Sequence, residues 1–174
     1  MKRLNKVAIL LMLFVGFATR SKAQALVDCS PTDDIVAVTG GEYVIYILDK
    51  KTLEVTKRIR TAESIDDDCF LFSPDGKSFW YSDYETIYQL NTSTWEAIKK
   101  VDYNGDFYIN NDKTEFVCVQ PYQKKLKGFN LNTGTEIFNY KINTTNDITS
   151  MAFSNDGKDL FVLFKPKDDD AEQK

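Results

Sequence analysis

The hexapeptide FSPDGK at residues 72–77 returns as FSNDGK at residues 153–158. No other feature of the chain constrains its fold so strongly. Ser73-Pro74-Asp75-Gly76 has the chemistry of a tight turn. Proline presets φ at the second position, and glycine accepts the left-handed conformation that closes a hairpin with a bulge. One such turn specifies one hairpin, whereas turns at a regular interval specify a repeated architecture. Four units begin this way: CSPTDDIVAV at Ser30-Pro31, FSPDGKSFWYS at Ser73-Pro74, INNDKTEFVCV at Asn111-Asp112, and FSNDGKDLFVLF at Ser154-Asn155. Ser30 to Ser73 is 43 residues, Asp75 to Asp112 is 37, and Asp112 to Asp156 is 44.

A second landmark lies midway through each unit. YILDKKTLEV, YQLNTSTWEA and FNLNTGTEI align Asp49, Asn91 and Asn132 at spacings of 42 and 41, with the third turn one residue shorter. Each unit reads as four short strands; in the second they are CFLFS, SFWYS, TIYQL and EAIKKV. DIVAV, YVIYIL and DLFVLF are continuous apolar runs, which implies burial on both faces. EVTKRIR is mixed and reads as an outer, half-wet strand. A four-stranded antiparallel sheet of roughly 40 residues, buried on both faces, is a blade between blades.

The stretch FSPDGKSFWYSDYETIYQLNTSTWEAIKKV resembles a propeller repeat of the YVTN type, within the wider WD-repeat-like group. The resemblance runs over residues 26–164. It implies an all-β chain, a β-propeller fragment of about three and a half four-stranded antiparallel blades. The expected blades are 26–61, 62–102 and 103–143, with a half blade at 144–164 and a polar tail at 165–174. A half blade leaves an apolar edge, so the expected parent is longer and closed. The chain lacks the Trp-Asp dipeptide and has no histidine, so the WD-type hydrogen-bond network is absent. Trp80 and Trp95, both in the second unit, are the only tryptophans. Trp80 is expected in packing between blades, and Trp95 partly exposed beside a turn.

Residues 1–25 stand apart. MKRLNK is basic, Val7–Ala18 is an apolar run of 12, and SKAQA supplies small residues. This is the layout of a secretory signal peptide, too short for a membrane span of about 20 residues. The expectation is an exported chain, periplasmic, cell-surface or secreted, with no membrane span after removal of the signal. Removal takes five bases and no acid, leaving 17 bases against 26 acids. Such a surface repels nucleic acid and anionic lipid. Cys29, Cys69 and Cys118 do not form a disulfide framework. Each sits among apolar neighbours, so burial as a small hydrophobe is expected.

No catalytic, cofactor or metal constellation emerges. Without histidine, Ser-His-Asp and Cys-His chemistry and the usual zinc sets fall away. DYNGDFYINNDK fails as a calcium loop, with Phe107 in place of glycine and Lys113 in place of glutamate. Asp66-Asp67-Asp68 reads as a solvated linker between blades. The loops sort by rim. One rim has short stereotyped turns; the other varies, with TGGE, SDYE, QPYQKK and RTAESIDDD. Varied loops on a rigid scaffold are where binding sits. The candidate partner-binding residues are Tyr84, Tyr103 and Tyr122 with Asp83 and Glu85, facing a protein or small-molecule partner outside the cytoplasm. The expected function is a non-enzymatic binding or scaffold module. The alternative is the propeller portion of a secreted hydrolase, lactonase-like or peptidase-associated.

Overall fold

The computed structural model describes residues 25–40, 43–102, 107–120, 125–142 and 147–165. Every regular element among them is a strand. In chain order they are β1 (Leu26–Cys29), β2 (Ile35–Thr39), β3 (Val44–Asp49), β4 (Val55–Arg60), β5 (Ile65–Phe72), β6 (Ser78–Asp83), β7 (Thr86–Asn91), β8 (Ala97–Asp102), β9 (Phe107–Ile109), β10 (Glu115–Gln120), β11 (Lys125–Asn130), β12 (Glu136–Lys141), β13 (Asp147–Phe153) and β14 (Leu160–Lys165). They form three four-stranded sheets, β1–β4, β5–β8 and β9–β12, and the two-stranded sheet β13–β14. Every pairing is antiparallel. The chain divides into two compact units, Met1–Asp102 and Tyr103–Lys174.

The repeated turn shares one main-chain bond in all four sheets. Ser30, Ser73, Asn110 and Ser154 each donate a main-chain N–H to the carbonyl five residues on, at 2.8–3.0 Å. Their side chains fold back as well. Ser73 Oγ accepts the Ser78 N–H, Asn110 Oδ1 those of Thr114 and Glu115, and Ser154 Oγ that of Asp159. Ser30 Oγ accepts from Thr32 and Asp33. A short polar side chain at this place satisfies main-chain donors that the turn removes from the ladder. Gly76 and Gly157 take φ of 70° and 71° in the turn, and Lys113 stands at the same place with φ 57°. The sequence therefore puts glycine where the backbone needs it in two turns and strains a lysine in the third.

The second landmark needs correction. Asp49 Oδ1 accepts the N–H groups of Lys51 and Thr52, and Asn91 Oδ1 those of Ser93 and Thr94. In the third sheet the residue doing this is Asn130, bonded from Asn132 and Thr133, and not Asn132. The turns are equal in length: Asp49, Asn91 and Asn130 each donate to the carbonyl five residues on. Leu53, Trp95 and Gly134 each follow four residues later with positive φ. This turn is laced to the first within its own sheet. Lys50 N–H bonds Asp34 O at 2.7 Å, Thr92 N–H bonds Lys77 O at 3.1 Å, and Leu131 N–H bonds Thr114 O at 2.8 Å.

Burial follows strand position. The second strands are buried nearly throughout, β6 at all six residues. The fourth strands, β4, β8 and β12, are mostly exposed. In the first unit, Ala37, Ile45 and Ile47 of one sheet pack with Ile65, Phe72, Phe79, Tyr81 and Leu90 of the next. Phe79 sits at the centre, edge-on to Phe70 and to Phe72 at 4.9 Å each. Such ring pairs contribute about 0.5–1.5 kcal/mol beyond burial of their area. Polar contacts fix the same two sheets: Asp28 Oδ2 accepts the Phe72 N–H at 2.7 Å, and Lys57 Nζ donates to Thr94 O at 2.8 Å. Gly76 lies so close to Thr32 that an added Cβ would overlap its Oγ1. In the second unit Val117, Val119, Leu126, Ile142 and Met151 form the core, with Leu160, Val162 and Phe164 against it.

Two further expectations change. Asp66–Asp68 are not a linker: their backbone lies within β5, where the register shifts between Asp66, opposite Ser82, and Phe70, opposite Tyr81. A bulge absorbs the extra residues. Cys69 and Cys118 are buried, but Cys29 is exposed, and none of the three is in a disulfide. Successive strand residues point to opposite faces, so the apolar neighbours of Cys29 in sequence say nothing of its own side. Trp95, at φ 62°, is half-buried and packs on Phe72 and Phe79. Trp80 is among the largest fully buried side chains.

Candidate binding rim

In each sheet the first-to-second and third-to-fourth turns occupy one end, as the bonds between them require. In the second sheet the loop joining second and third strands, 83–86, lies at the other. In the first unit that other end carries Tyr43 just before β3, loop 83–86 and segment 61–64. Asp83 closes β6 and is 3% exposed. Its Oδ1 accepts the N–H of Glu85 at 3.3 Å and of Thr86 at 3.0 Å. A buried carboxylate satisfied by two main-chain donors is an Asx-type brace, and it fixes the path of the loop. Asp83 thus holds the loop from beneath. Tyr84, at the tip, is 77% exposed, and Glu85 beside it is exposed too.

Beneath the loop Tyr81 and Tyr88, directly opposite across β6 and β7, stack at 4.8 Å with 7° between planes. Lys100 Nζ stands 5.3 Å from the centre of the Tyr88 ring. Burial raises the phenol pKa of Tyr81, and the charges of Tyr88 and Asp83 add to it. Burial also raises that of Tyr88, followed by its hydrogen bond to Asp83. Both phenols therefore stay protonated at neutral pH. The stack, the lysine above it and the buried carboxylate form a rigid base under an exposed tyrosine.

Tyr43, just before β3, is 56% exposed. Its carbonyl accepts the Thr61 N–H at 3.0 Å, and Thr61 Oγ1 donates to Glu63 O at 2.8 Å. The path of segment 61–63 is thus tied to Tyr43. Tyr43 was not among the sequence candidates, because the varied loop was closed one residue short of it. The order polar loop, aromatic, then apolar strand in TGGEYVIYIL was the available signal. Of the sequence candidates, Tyr84, Glu85 and Asp83 come together in one loop. Tyr103 and Tyr122 lie outside the described residues.

Chemically, this rim offers phenol hydroxyls as donors and acceptors, flat apolar ring area, and the carboxylates of Glu63 and Glu85. No family model matches the sequence, and neither does any curated protein. Among solved structures, the chain is similar to hydrazine synthase of Kuenenia stuttgartiensis at TM-score 0.54 and 14% identity, covering 78% of this chain and 40% of that one. It is similar to Hsv2 of Kluyveromyces lactis at TM-score 0.45 and 10% identity, covering 79% of this chain and 58% of that one. The chain thus spans less than two thirds of the length of either. The likeness to hydrazine synthase concerns the fold alone. With the successive four-stranded antiparallel sheets, it makes this chain all-β, with the blades of a β-propeller.

Proposed function

We propose that the chain is a non-enzymatic β-propeller module of the YVTN type, exported by its first 25 residues, that binds a partner through the varied rim. The observation that carries this reading is the Tyr84 loop. An exposed aromatic stands on a loop whose path is fixed by a buried carboxylate and a stacked tyrosine pair. Pre-organisation of this kind lowers the ordering cost of binding. Tyrosine adds contact area with a polar tip, and such anchors contribute a few kcal/mol each at an interface centre. The carboxylates Glu63 and Glu85, on an acidic chain, favour a partner that brings basic or hydrogen-bond-donating groups.

The test is capture of partners from envelope extract by the purified chain. Wild type is compared with a Tyr84→Ala, Tyr103→Ala, Tyr122→Ala variant and with a Lys77→Ala, Lys158→Ala control on the opposite rim. The tyrosine variant is expected to lose the partner and the lysine control to keep it, both folded by circular dichroism. The reverse pattern overturns the assignment of faces.

A further inference from the structure

The chain is acidic, yet its positive charge is not evenly spread. Five of its 22 lysines and arginines stand on two six-residue strands: Lys57, Arg58 and Arg60 on β4, and Lys99 and Lys100 on β8. Within those strands the single acid is Asp102, the last residue of β8. Outer strands commonly carry lysine, or a bulge, to block pairing with other chains. All three outer strands here have a register shift against their neighbour, so each edge already has that protection. β12 holds the same place in the third sheet and balances Glu136 against Lys141. An outer strand of this chain therefore needs no net positive charge, and the charge on β4 and β8 has another cause.

Two of these lysines face one seam. Residues directly opposite across a ladder share a face. Lys57 is opposite Ile47, and Lys100 is opposite Tyr88. Ile47 belongs to the core where the first two sheets meet, and Tyr88 packs against it. Ile59, two residues beyond Lys57, packs there too, and Ile59 and Tyr88 are only half-buried. Sheets packed face to face are about 10 Å apart, so the seam between β4 and β8 has a lysine on each side and apolar surface between. Both lysines are held by neutral groups. Lys57 Nζ donates to Thr94 O at 2.8 Å, and Lys100 Nζ stands 5.3 Å from the centre of the Tyr88 ring. Among the described residues neither meets a carboxylate at ion-pair distance. A carbonyl and a ring fix a cation in place without cancelling its charge. We propose that this seam binds an acidic, extended segment of another protein, with carboxylates on Lys57 and Lys100 and an apolar side chain over Ile59 and Tyr88. An extended chain rises about 3.3 Å per residue, so carboxylates about three residues apart match the spacing of the two sheets. The acid excess of the rest of the chain opposes long polyanions. At physiological salt it is screened beyond about 8 Å, so a short segment meets the local lysines. This is a second surface, on the flank of the two sheets rather than at the end that carries Tyr84.

The probe is a labelled glutamate decapeptide with a central phenylalanine, titrated against the full chain by fluorescence anisotropy at low and at physiological salt. Saturable binding is expected, weaker at the higher salt, with slowed amide exchange in β4 and β8. Lys57→Gln with Lys100→Gln should weaken binding about tenfold at low salt. Lys50→Gln with Lys77→Gln removes the same charge from turns of the same unit and should keep binding within about twofold. Circular dichroism checks that both variants are folded, and the exchange result is read on the unaltered chain. The proposal is overturned by absence of saturable binding, by equal weakening in the Lys50, Lys77 control, or by equal binding of a peptide with glutamine for glutamate. Protection confined to other strands overturns it too. So does tighter binding of a heparin fragment of equal charge, which would make a polysaccharide the partner.

Discussion

The two turn glycines share a backbone conformation but not a neighbourhood, and the difference makes a test of how the first two sheets meet. Gly157→Ala puts a side chain at φ 71° with its nearest neighbour, Asn110 Nδ2, 3.6 Å from the new Cβ, an ordinary contact. Its cost is the left-handed penalty of about 1–2 kcal/mol, less about 0.4–1 kcal/mol from a stiffer unfolded chain. The net is roughly 0.5–1 kcal/mol. Gly76→Ala at φ 70° bears the same cost, but its Cβ would overlap Thr32 Oγ1 and lie 3.0 and 3.1 Å from Thr32 Cβ and Cγ2. Overpacking of this kind costs about 1–3 kcal/mol, so Gly76→Ala is expected to lose roughly 2–4 kcal/mol. Thr32→Ala removes the overlapping hydroxyl and Cγ2. In a double-mutant cycle it should recover about 1 kcal/mol or more of the Gly76→Ala loss. Urea unfolding reads the effect. Trp80 and Trp95 lie in the same unit as Gly76, so fluorescence follows that unit, and circular dichroism follows the whole chain. Equal losses at Gly76 and Gly157, or strict additivity with Thr32→Ala, would refute the close approach of the two turns.

Four further outcomes are expected. Lys113→Gly relieves an exposed lysine at φ 57° and should raise stability by about 0.5–1 kcal/mol, read as a higher urea midpoint at unchanged slope. Gly128→Ala should cost about 1–3 kcal/mol, because the ring of Phe138, its cross-strand partner, lies over the glycine with Cδ1 and Cζ 2.7 Å from an added Cβ; Phe138→Ala in the same chain should offset part of that loss. Burial pushes the Cys118 thiol up to about 12 from 9.0, so the folded chain keeps a proton there that the unfolded chain loses. The stability this gives is present below about pH 9 and lost as pH rises toward about 12, and Cys118→Val should flatten that decline. Iodoacetamide on the native chain should modify Cys29 alone, with Cys69 and Cys118 reacting after denaturation.

The turns were legible because their chemistry is local. A Ser or Asn at the first position, and Gly at the left-handed position, report geometry that depends on a few adjacent residues. The strands followed from the apolar runs between them. What failed was whatever required knowing a side chain's direction or its partner. Asn132 looked like the counterpart of Asn91 because Leu-Asn precedes the turn in both. Either asparagine in FNLN could cap a turn, and only Gly134, four residues past Asn130, breaks the tie. Asp66–Asp68 read as linker because charge argues against a strand, yet a bulge lets β5 carry them. That Asp83 also braces the main chain of its loop was not legible from the sequence, because it depends on where the carboxylate turns. Tyr84 was visible from the same loop; the Tyr81–Tyr88 stack beneath it depends on cross-strand register, which composition does not reveal.

In every sheet the order of strands in space is their order along the chain. No strand waits for a distant partner, and the bond from Phe72 to Asp28, which joins one sheet to the next, spans 44 residues, one repeat. All-β topologies are usually slow to form because remote strands must find each other before their contacts compensate the entropy of loop closure. Here each hairpin can close as soon as its second strand exists, and in the first unit the finished β1–β4 sheet offers an apolar face on which β5–β8 can condense. Such a chain can be ordered progressively from its amino end during synthesis, with one repeat as the length over which it must hold together before the next is needed.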